Sequence, residues 1–255
     1  ETQGTSLFKQ YIWASGNSGF ALTGVGRNPQ EYPTVSIENG IDGSRAIKLE
    51  TKSTGQFGET VKMPIAAGNL FLGSFDVNNA VQKPLKATLF GLPFGKKPLK
   101  FKGYYKYVPG TQSFKAKDKN GNTVTISRQE DEGDIYAVLY EAAGLDGKVL
   151  DGNNVLTSKN IVALARVEVE KTDRYIEFET SFQYGERKEI SWPQFIYRDT
   201  SDDGTGKYLR FSEEKMKNYE YNLAVVFTSS KYGAYFAGSV GSTLCIDKVE
   251  IVCEK

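Results

Sequence analysis

Apolar and polar residues alternate along most of the chain in short runs that are separated by Gly, Asn, Asp and Pro. A period of two is typical of β-strands that bury one face. The runs are also rich in Val, Ile, Phe, Tyr and Thr, which favour strands. Ten runs are therefore predicted to be strands: Thr34–Ile37, Arg45–Thr51, Leu70–Val77, Lys86–Phe90, Thr123–Ser127, Ile135–Tyr140, Ile161–Glu170, Tyr175–Tyr184, Tyr221–Ser229 and Ser242–Cys253.

One segment, Ser212–Tyr219, favours a helix instead, because Ser212 is a good N-cap residue and Glu213 and Glu214 would lie in the first turn. No internal repeat or low-complexity linker divides the chain. Ten or more strands with hairpin turns predict an all-β fold, a two-sheet β-sandwich of jelly-roll type. We expect one domain over residues 1–255, with long loops and at most one short helix.

The segment Phe90–Gly110 is unusually rich in aromatic residues and lysine. In a strand that begins at Lys100, alternation places Phe101, Tyr105 and Tyr107 on one face and lysines on the other. Two interpretations remain open. The aromatic face stacks on planar or sugar-like rings, or it is part of an ordinary sandwich core whose reverse is solvated.

Composition excludes several function classes. Lys and Arg number 32 against 31 for Asp and Glu, so the net charge of +1 gives no electrostatic reason to expect nucleic-acid binding. The sequence has no apolar run of about 18 residues that would span a membrane. It also has no histidine, which excludes a His-based nucleophilic triad and a His-containing zinc site. Catalysis would have to rest on carboxylates, Tyr, Lys or Arg.

The densest group of carboxylates is Glu130, Asp131, Glu132 and Asp134. A glycosidase needs two carboxyl groups about 5 to 10 Å apart across a sugar. Asp134 with one of the other three acids is therefore the candidate catalytic pair. The alternative, which composition favours, is a solvated loop that leads into the strand at Ile135.

Exposed aromatic rings are typical of sugar-binding sites, because the apolar face of a pyranose stacks on a ring while polar neighbours take its hydroxyls. Trp13 is expected in a polar loop, and Asn17 and Asp134 are expected to contact hydroxyls. For each ring, packing in the core or at its rim is the alternative. The candidate ligand-binding residues are Trp13, Asn17, Lys97, Tyr105, Tyr107, Asp134 and Tyr184.

Asp247 interrupts an otherwise apolar predicted strand, 244–249. A buried carboxylate must be paired, hydrogen-bonded or bound to a metal. The alternative is an edge strand on which Asp247 faces water, and alternation does not decide between the two.

Three segments, taken in order, resemble a known family: Gly68–Phe75, Phe90–Gly110 and Ser229–Asp247. They are similar to the putative carbohydrate metabolism domain family of bacterial cell-envelope proteins, and the similarity runs from about Trp13 to the end of the chain. The resemblance implies a jelly-roll sandwich similar to carbohydrate-binding modules and a role in glycan use. It also implies a secreted or lipid-anchored protein. It supplies no catalytic pair.

The resemblance further implies that Asp247 binds a structural calcium ion, which would need several more oxygen donors. Two features depart from the family pattern. Lys97 stands where Arg is usual before Pro98, and the segment Arg187–Asn218 is longer than expected.

The leading hypothesis is a glycan-binding module without catalytic activity of its own. Its expected partner is an oligosaccharide or polysaccharide and not a nucleic acid. It is expected to act as a monomer in the periplasm or at the outer-membrane surface, through secretion or a lipid anchor. The alternatives are a glycoside hydrolase and an adhesion or structural module whose sandwich face binds another protein.

Overall fold

The computed structural model describes residues 13–145 and 149–254, and strands dominate both ranges. Numbered along the chain, the strands are β1 (Trp13–Ala14), β2 (Thr34–Ile37), β3 (Ala46–Glu50), β4 (Lys52–Ser53), β5 (Ile65–Ala66), β6 (Asn69–Phe75), β7 (Thr88–Phe90), β8 (Leu92–Pro93), β9 (Pro98–Val108), β10 (Lys115–Lys117), β11 (Thr123–Thr125), β12 (Asp134–Glu141), β13 (Leu150–Asp151), β14 (Ile161–Val167), β15 (Thr172–Ser181), β16 (Gln183–Tyr184), β17 (Tyr221–Thr228) and β18 (Thr243–Cys253). The helices are α1 (Asn17–Ala21), α2 (Gly55–Thr60) and α3 (Glu213–Lys217).

Two antiparallel sheets contain most of these strands. The nine-stranded sheet has the order β13-β7-β6-β17-β12-β14-β16, with β1 paired to β6 and β8 paired to β17. The five-stranded sheet has the order β15-β9-β18-β3-β2. Two small two-stranded sheets, β4-β5 and β10-β11, lie beside them. The predicted all-β, two-sheet sandwich of jelly-roll type is therefore confirmed.

Alternation along β9 decides which of its faces is buried. Phe101, Tyr105 and Tyr107 point between the two sheets, where they pack against Phe178 of β15 and Phe227 of β17. The opposite face of β9 carries lysines that pair with glutamates of β15 and β18, as in the ion pairs Lys100–Glu179 and Lys102–Glu250. The five-stranded sheet thus has one core face and one solvated face.

The nine-stranded sheet is buried on both faces, because nearly every residue of its central strands β12 and β17 is buried. Residues such as Ile135 and Leu223 face the core between the sheets. Their neighbours Tyr136 and Ala224 face a second hydrophobic cluster on the other side. This second cluster, called here the outer core, is covered by loops and short helices instead of a third sheet.

Residues 13–145 and 149–254 contain three short α-helices, where the sequence predicts at most one. The predicted helix is present as α3, and the Ser212 hydroxyl accepts a hydrogen bond from the Lys215 backbone N–H at 3.4 Å. The helices α1 and α2 escape prediction because neither has a side-chain cap, and α2 contains Gly55 and Gly58. No helix in the two described ranges is long and apolar enough to cross a membrane.

Candidate functional site

Tyr105 and Tyr107 are core residues, each with only 2% of its surface exposed. The Tyr105 hydroxyl accepts a hydrogen bond from the Glu170 backbone N–H at 2.9 Å. The Tyr107 hydroxyl has no hydrogen-bond partner in the described part of the chain. The prediction that these rings contact a ligand is wrong, because both fill space between the two sheets. The second interpretation of Phe90–Gly110, an ordinary core face, is correct.

Two other predicted ligand residues have structural partners at separate places. Trp13 lies on β1 and not in a loop, and its 42% exposed ring packs at 6.1 Å from that of Phe227. Asn17 exchanges two hydrogen bonds with the backbone of Thr34, at 2.8 and 3.1 Å. These bonds occupy both polar ends of its amide, so Asn17 fastens α1 to β2.

Lys97 and Tyr184 lie together, around the half-buried ring of Phe211. The Lys97 ammonium group pairs with Glu254 at 3.2 Å. The Tyr184 hydroxyl donates to the Pro98 carbonyl at 2.8 Å. Tyr184 and Phe211 pack against the core between the sheets, and this group does not line the cavity described below.

The four clustered carboxylates separate into two exposed and two buried groups. Glu130 and Glu132 are exposed and pair with Lys171 at 3.5 Å and Lys231 at 2.6 Å. Asp131 and Asp134 are each 2% exposed. The expectation of a solvated loop is therefore wrong for these two, and each of them has its own set of partners.

Asp131 is the acceptor of a buried hydroxyl network, called here the Asp131 cluster. Its Oδ2 accepts from Ser230 Oγ at 2.6 Å, Ser242 Oγ at 2.7 Å and the Ser239 backbone N–H at 2.8 Å. Thr51 Oγ1 lies 2.6 Å from Ser230 Oγ and continues the network. Burial raises the pKa of Asp131 to about 6, although these hydrogen bonds oppose the rise. The cluster joins the end of β3 to the ends of β17 and β18, and so ties the two sheets together.

Asp134 forms a bidentate ion pair with Arg166 of β14. Arg166 Nε donates to Oδ1 at 2.9 Å and Nη2 donates to Oδ2 at 2.6 Å. Burial alone would lower the pKa of Arg166, but the Asp134 carboxylate outweighs it and raises that pKa. The Arg166 side chain is 22% exposed and that of Asp134 is 3% exposed, so only the guanidinium side of the pair is accessible.

A cavity of about 190 Å³ lies against Asp134, on the outer-core face of the nine-stranded sheet. Asp134, Tyr136 and Phe71 belong to its floor. Its cover includes Phe20 of α1 and Phe57 of α2. Because most of the other lining side chains are apolar or aromatic, we call this space the aromatic cavity.

Trp192 and Tyr235 form one wall of the aromatic cavity. The Trp192 ring lies 5.9 Å from that of Tyr235 and 6.3 Å from that of Tyr232. The Arg198 guanidinium lies 4.9 Å from the centre of Trp192 and pairs with Asp203. An aromatic cluster therefore lines the cavity together with the Asp134 carboxylate, an arrangement that suits a ligand with apolar and polar faces.

The sequence pattern missed most of this site. Trp192 lies in a segment without alternation, and the register that places Arg166 opposite Tyr136 depends on how β12 and β14 pair. Among the predicted ligand residues only Asp134 lines the cavity, and the sequence pattern does not indicate its burial beside a cation. The aromatic residues near Trp192 in the sequence, Phe195 and Tyr197, are a signal from which this wall could have been inferred.

Asp247 anchors a turn through hydrogen bonds. Its Oδ2 accepts from the Ile41 backbone N–H at 2.7 Å and from the Ser44 hydroxyl, and its Oδ1 accepts from the Lys248 N–H at 2.7 Å. Burial alone would raise the pKa of Asp247, but these bonds outweigh it and lower that pKa. Within the described residues, no group of three or more acidic or sulfur ligands gathers there or elsewhere. The buried, hydrogen-bonded alternative accounts for Asp247 without calcium.

Two bacterial proteins of known structure illustrate what this chain is similar to. A "putative glycoside hydrolase" from Bacteroides thetaiotaomicron VPI-5482 is 43% identical, with a TM-score of 0.79 over 95% of this chain and 63% of that chain. A second protein of the same description, from Bacteroides vulgatus ATCC 8482, is 38% identical, with a TM-score of 0.76 over 96% of this chain and 86% of that chain. This chain thus spans less than two thirds of the first protein.

No curated protein matches the chain. The sequence does match one family along almost its whole length, from residue 1 to residue 252. The resemblance carried by the segments around Gly68, Phe90 and Ser229 is therefore confirmed. The chain belongs to the family described as "Putative carbohydrate metabolism domain".

Proposed function

We propose that this domain binds a glycan at the mouth of the aromatic cavity. The observation that carries the proposal is that the Trp192 and Tyr235 rings line one cavity with Asp134, whose carboxylate is paired with Arg166. A sugar ring presents C–H groups on its faces and hydroxyls at its edge. Aromatic rings pack against the C–H groups, and planar charged groups form hydrogen bonds with the hydroxyls.

Polar groups in the cavity lining provide partners for sugar hydroxyls. Each Asp134 oxygen accepts one bond from Arg166 and retains a second acceptor site. Lys231 also lines the cavity and adds a donor beside Glu132. Membership of a carbohydrate metabolism family supports a sugar as the ligand.

The test is a glycan array followed by isothermal titration calorimetry with any glycan that binds. Trp192→Ala should weaken binding at least about tenfold, because it removes a stacking surface from the rim. Trp13→Ala is the matched control, because it alters the other tryptophan of the chain, which lies outside the cavity. Binding of no glycan, or a loss with Trp13→Ala alone, would contradict the proposal.

A second candidate function is glycoside hydrolysis, which the names of the two similar solved proteins favour. The carboxylate geometry supports it less well. Asp131 Oδ2 is surrounded by three protein donors, and Glu130 and Glu132 face solvent beside lysines. Release of reducing ends by the wild-type protein, abolished in Asp134→Asn, would establish hydrolysis. Binding without release would leave the binding module as the function.

A further inference from the structure

The floor of the aromatic cavity changes from polar to apolar along the strands. Strand register defines two successive rows of side chains on the same face of β6, β12 and β17. The first row is Asn69, Thr228 and Asp134, and the second is Phe71, Val226 and Tyr136. Two residues of strand separate the rows, which is about 7 Å. A ligand that enters over the first row therefore reaches an apolar interior within one ring length.

The mouth of the cavity lies at the polar row. Phe57 of α2 and Ala234 are the exposed members of the described lining, and the ring of Phe57 is 39% exposed. The turn that holds Ala234 follows β17 directly after the first row. It also approaches the start of β6 closely, since a Cβ on Gly233 would lie 2.3 Å from the Ala67 Cβ. The apolar end is instead closed by buried or half-buried groups such as Phe20 and Phe90.

The volume limits what enters. An apolar cavity of about 150 Å³ accommodates benzene, so about 190 Å³ accommodates one ring with a small substituent. An oligosaccharide is too large, and the apolar interior offers its hydroxyls few partners. The sugar must therefore stay at the mouth while something apolar fills the interior.

We propose that the preferred ligand is a glycoside with an apolar aglycone, namely one aryl ring or a short alkyl chain that occupies the interior of the aromatic cavity. This inference rests on the proposed function, because it assumes that the sugar lies at the rim of Trp192 and Asp134. It adds the chemical class of the group attached to that sugar. The interior, lined by rings such as Phe71 and Phe75, excludes water from that group and selects it over a polar extension.

The experiment compares 4-nitrophenyl glycosides with methyl glycosides of glucose, galactose, mannose and xylose by isothermal titration calorimetry. For a sugar that binds, the 4-nitrophenyl glycoside should bind about tenfold more tightly or better, because its ring leaves water. Ala80→Leu places extra carbon atoms in the cavity lining and should remove this advantage without weakening the methyl glycoside. Ala21→Leu, on the exposed surface of α1, is the matched control and should retain the advantage.

Each result decides between the two proposals. Equal affinity for the methyl and nitrophenyl glycosides overturns the aglycone inference and leaves glycan binding intact. Binding of 4-nitrophenol as tightly as its glycosides overturns it as well, since the sugar then contributes nothing. If no glycoside binds although the array identifies a glycan ligand, the aglycone inference fails and glycan binding stands; if the array also identifies none, both proposals fail. Should Ala80→Leu not fold, Ala87→Val makes a smaller change in the same lining and must also reduce the advantage.

Discussion

Replacement of Asp131 by alanine should destabilise the fold by about 3–5 kcal/mol, because three buried donors lose their acceptor. The Ser239 N–H has no freedom to turn away, and it alone accounts for about 1–3 kcal/mol. The Ser230 and Ser242 hydroxyls can rotate, so each contributes about 1 kcal/mol. The assay is urea unfolding followed by far-ultraviolet circular dichroism. The change in the urea midpoint, multiplied by a common m-value, gives the change in the free energy of unfolding.

Asp131→Asn is the matched control, because its amide oxygen can replace Oδ2 as the acceptor for all three donors. It loses the bond from the Glu132 N–H, 3.0 Å from Oδ1, and it removes a buried charge. These effects oppose each other, so the expected cost is about 0–2 kcal/mol. A cost below about 1 kcal/mol for Asp131→Ala would refute the reasoning, because the donors would then have other partners.

Comparison of the wild type with Asp131→Asn over a range of pH tests the pKa of Asp131. Burial raises this pKa from 3.8 to about 6 in the folded protein. A raised pKa means that the folded state binds the proton more tightly than the unfolded chain. The stabilisation from protonated Asp131 is therefore complete below pH 3.8 and is lost as the pH rises through about 6. The stability of wild type relative to Asp131→Asn should fall by about 3 kcal/mol between those limits, and a constant difference would contradict the assignment.

Three further outcomes are expected. Arg166→Met should lower the free energy of unfolding in urea by about 3–5 kcal/mol, because Asp134 stays buried without its partner. The additional change Asp134→Leu should recover most of that loss. A loss below about 1 kcal/mol would show that the ion pair is solvated. Tyr107→Phe should leave the free energy of unfolding unchanged or raise it, whereas Tyr105→Phe should lower it by about 1 kcal/mol. The reason is that, of these two hydroxyls, only that of Tyr105 has a hydrogen-bond partner in the described chain. A larger loss of stability for Tyr107→Phe than for Tyr105→Phe would contradict these partners. The thermal unfolding midpoint should be the same in excess calcium and in EDTA, because both carboxylate oxygens of Asp247 accept hydrogen bonds from the protein. A midpoint that rises by several degrees with calcium in the wild type, but not in Asp247→Asn, would support a calcium site at Asp247.

The strands were predictable because the hydrophobic pattern is local. Thr34–Ile37 was predicted to the residue, and the alternation of β9 is the alternation observed. The hydrophobic pattern does not show which face of a strand packs against the core. For β9 the aromatic face is inside, while β12 and β17 are buried on both faces because loops cover the nine-stranded sheet. The loops that cover this sheet have no periodic hydrophobic pattern, so the sequence does not predict that they bury its outer face.

The candidate site was predicted poorly because distant segments build it. Asp131 and Asp134 are three positions apart, yet Asp131 meets serines about 100 residues away and Asp134 meets Arg166 on another strand. Trp192 joins them from a segment with no regular structure. Among the predicted ligand residues, Asp134 lines the aromatic cavity while Trp13, Asn17, Lys97 and Tyr184 lie elsewhere. Secretion and a lipid anchor rest on the family resemblance, and both of them and the monomeric state stay predictions.

Intrinsic fluorescence of a single-tryptophan protein tests glycan binding at this rim most directly. In Trp13→Phe, Trp192 is the sole tryptophan and lies in the wall of the aromatic cavity. Titration with a glycan that binds by calorimetry should shift its emission saturably, with the same affinity. Trp192→Phe, which retains Trp13, should show no shift. An unchanged Trp192 signal during proven binding, or a shift that follows Trp13 instead, would contradict the assignment of this rim as the glycan site.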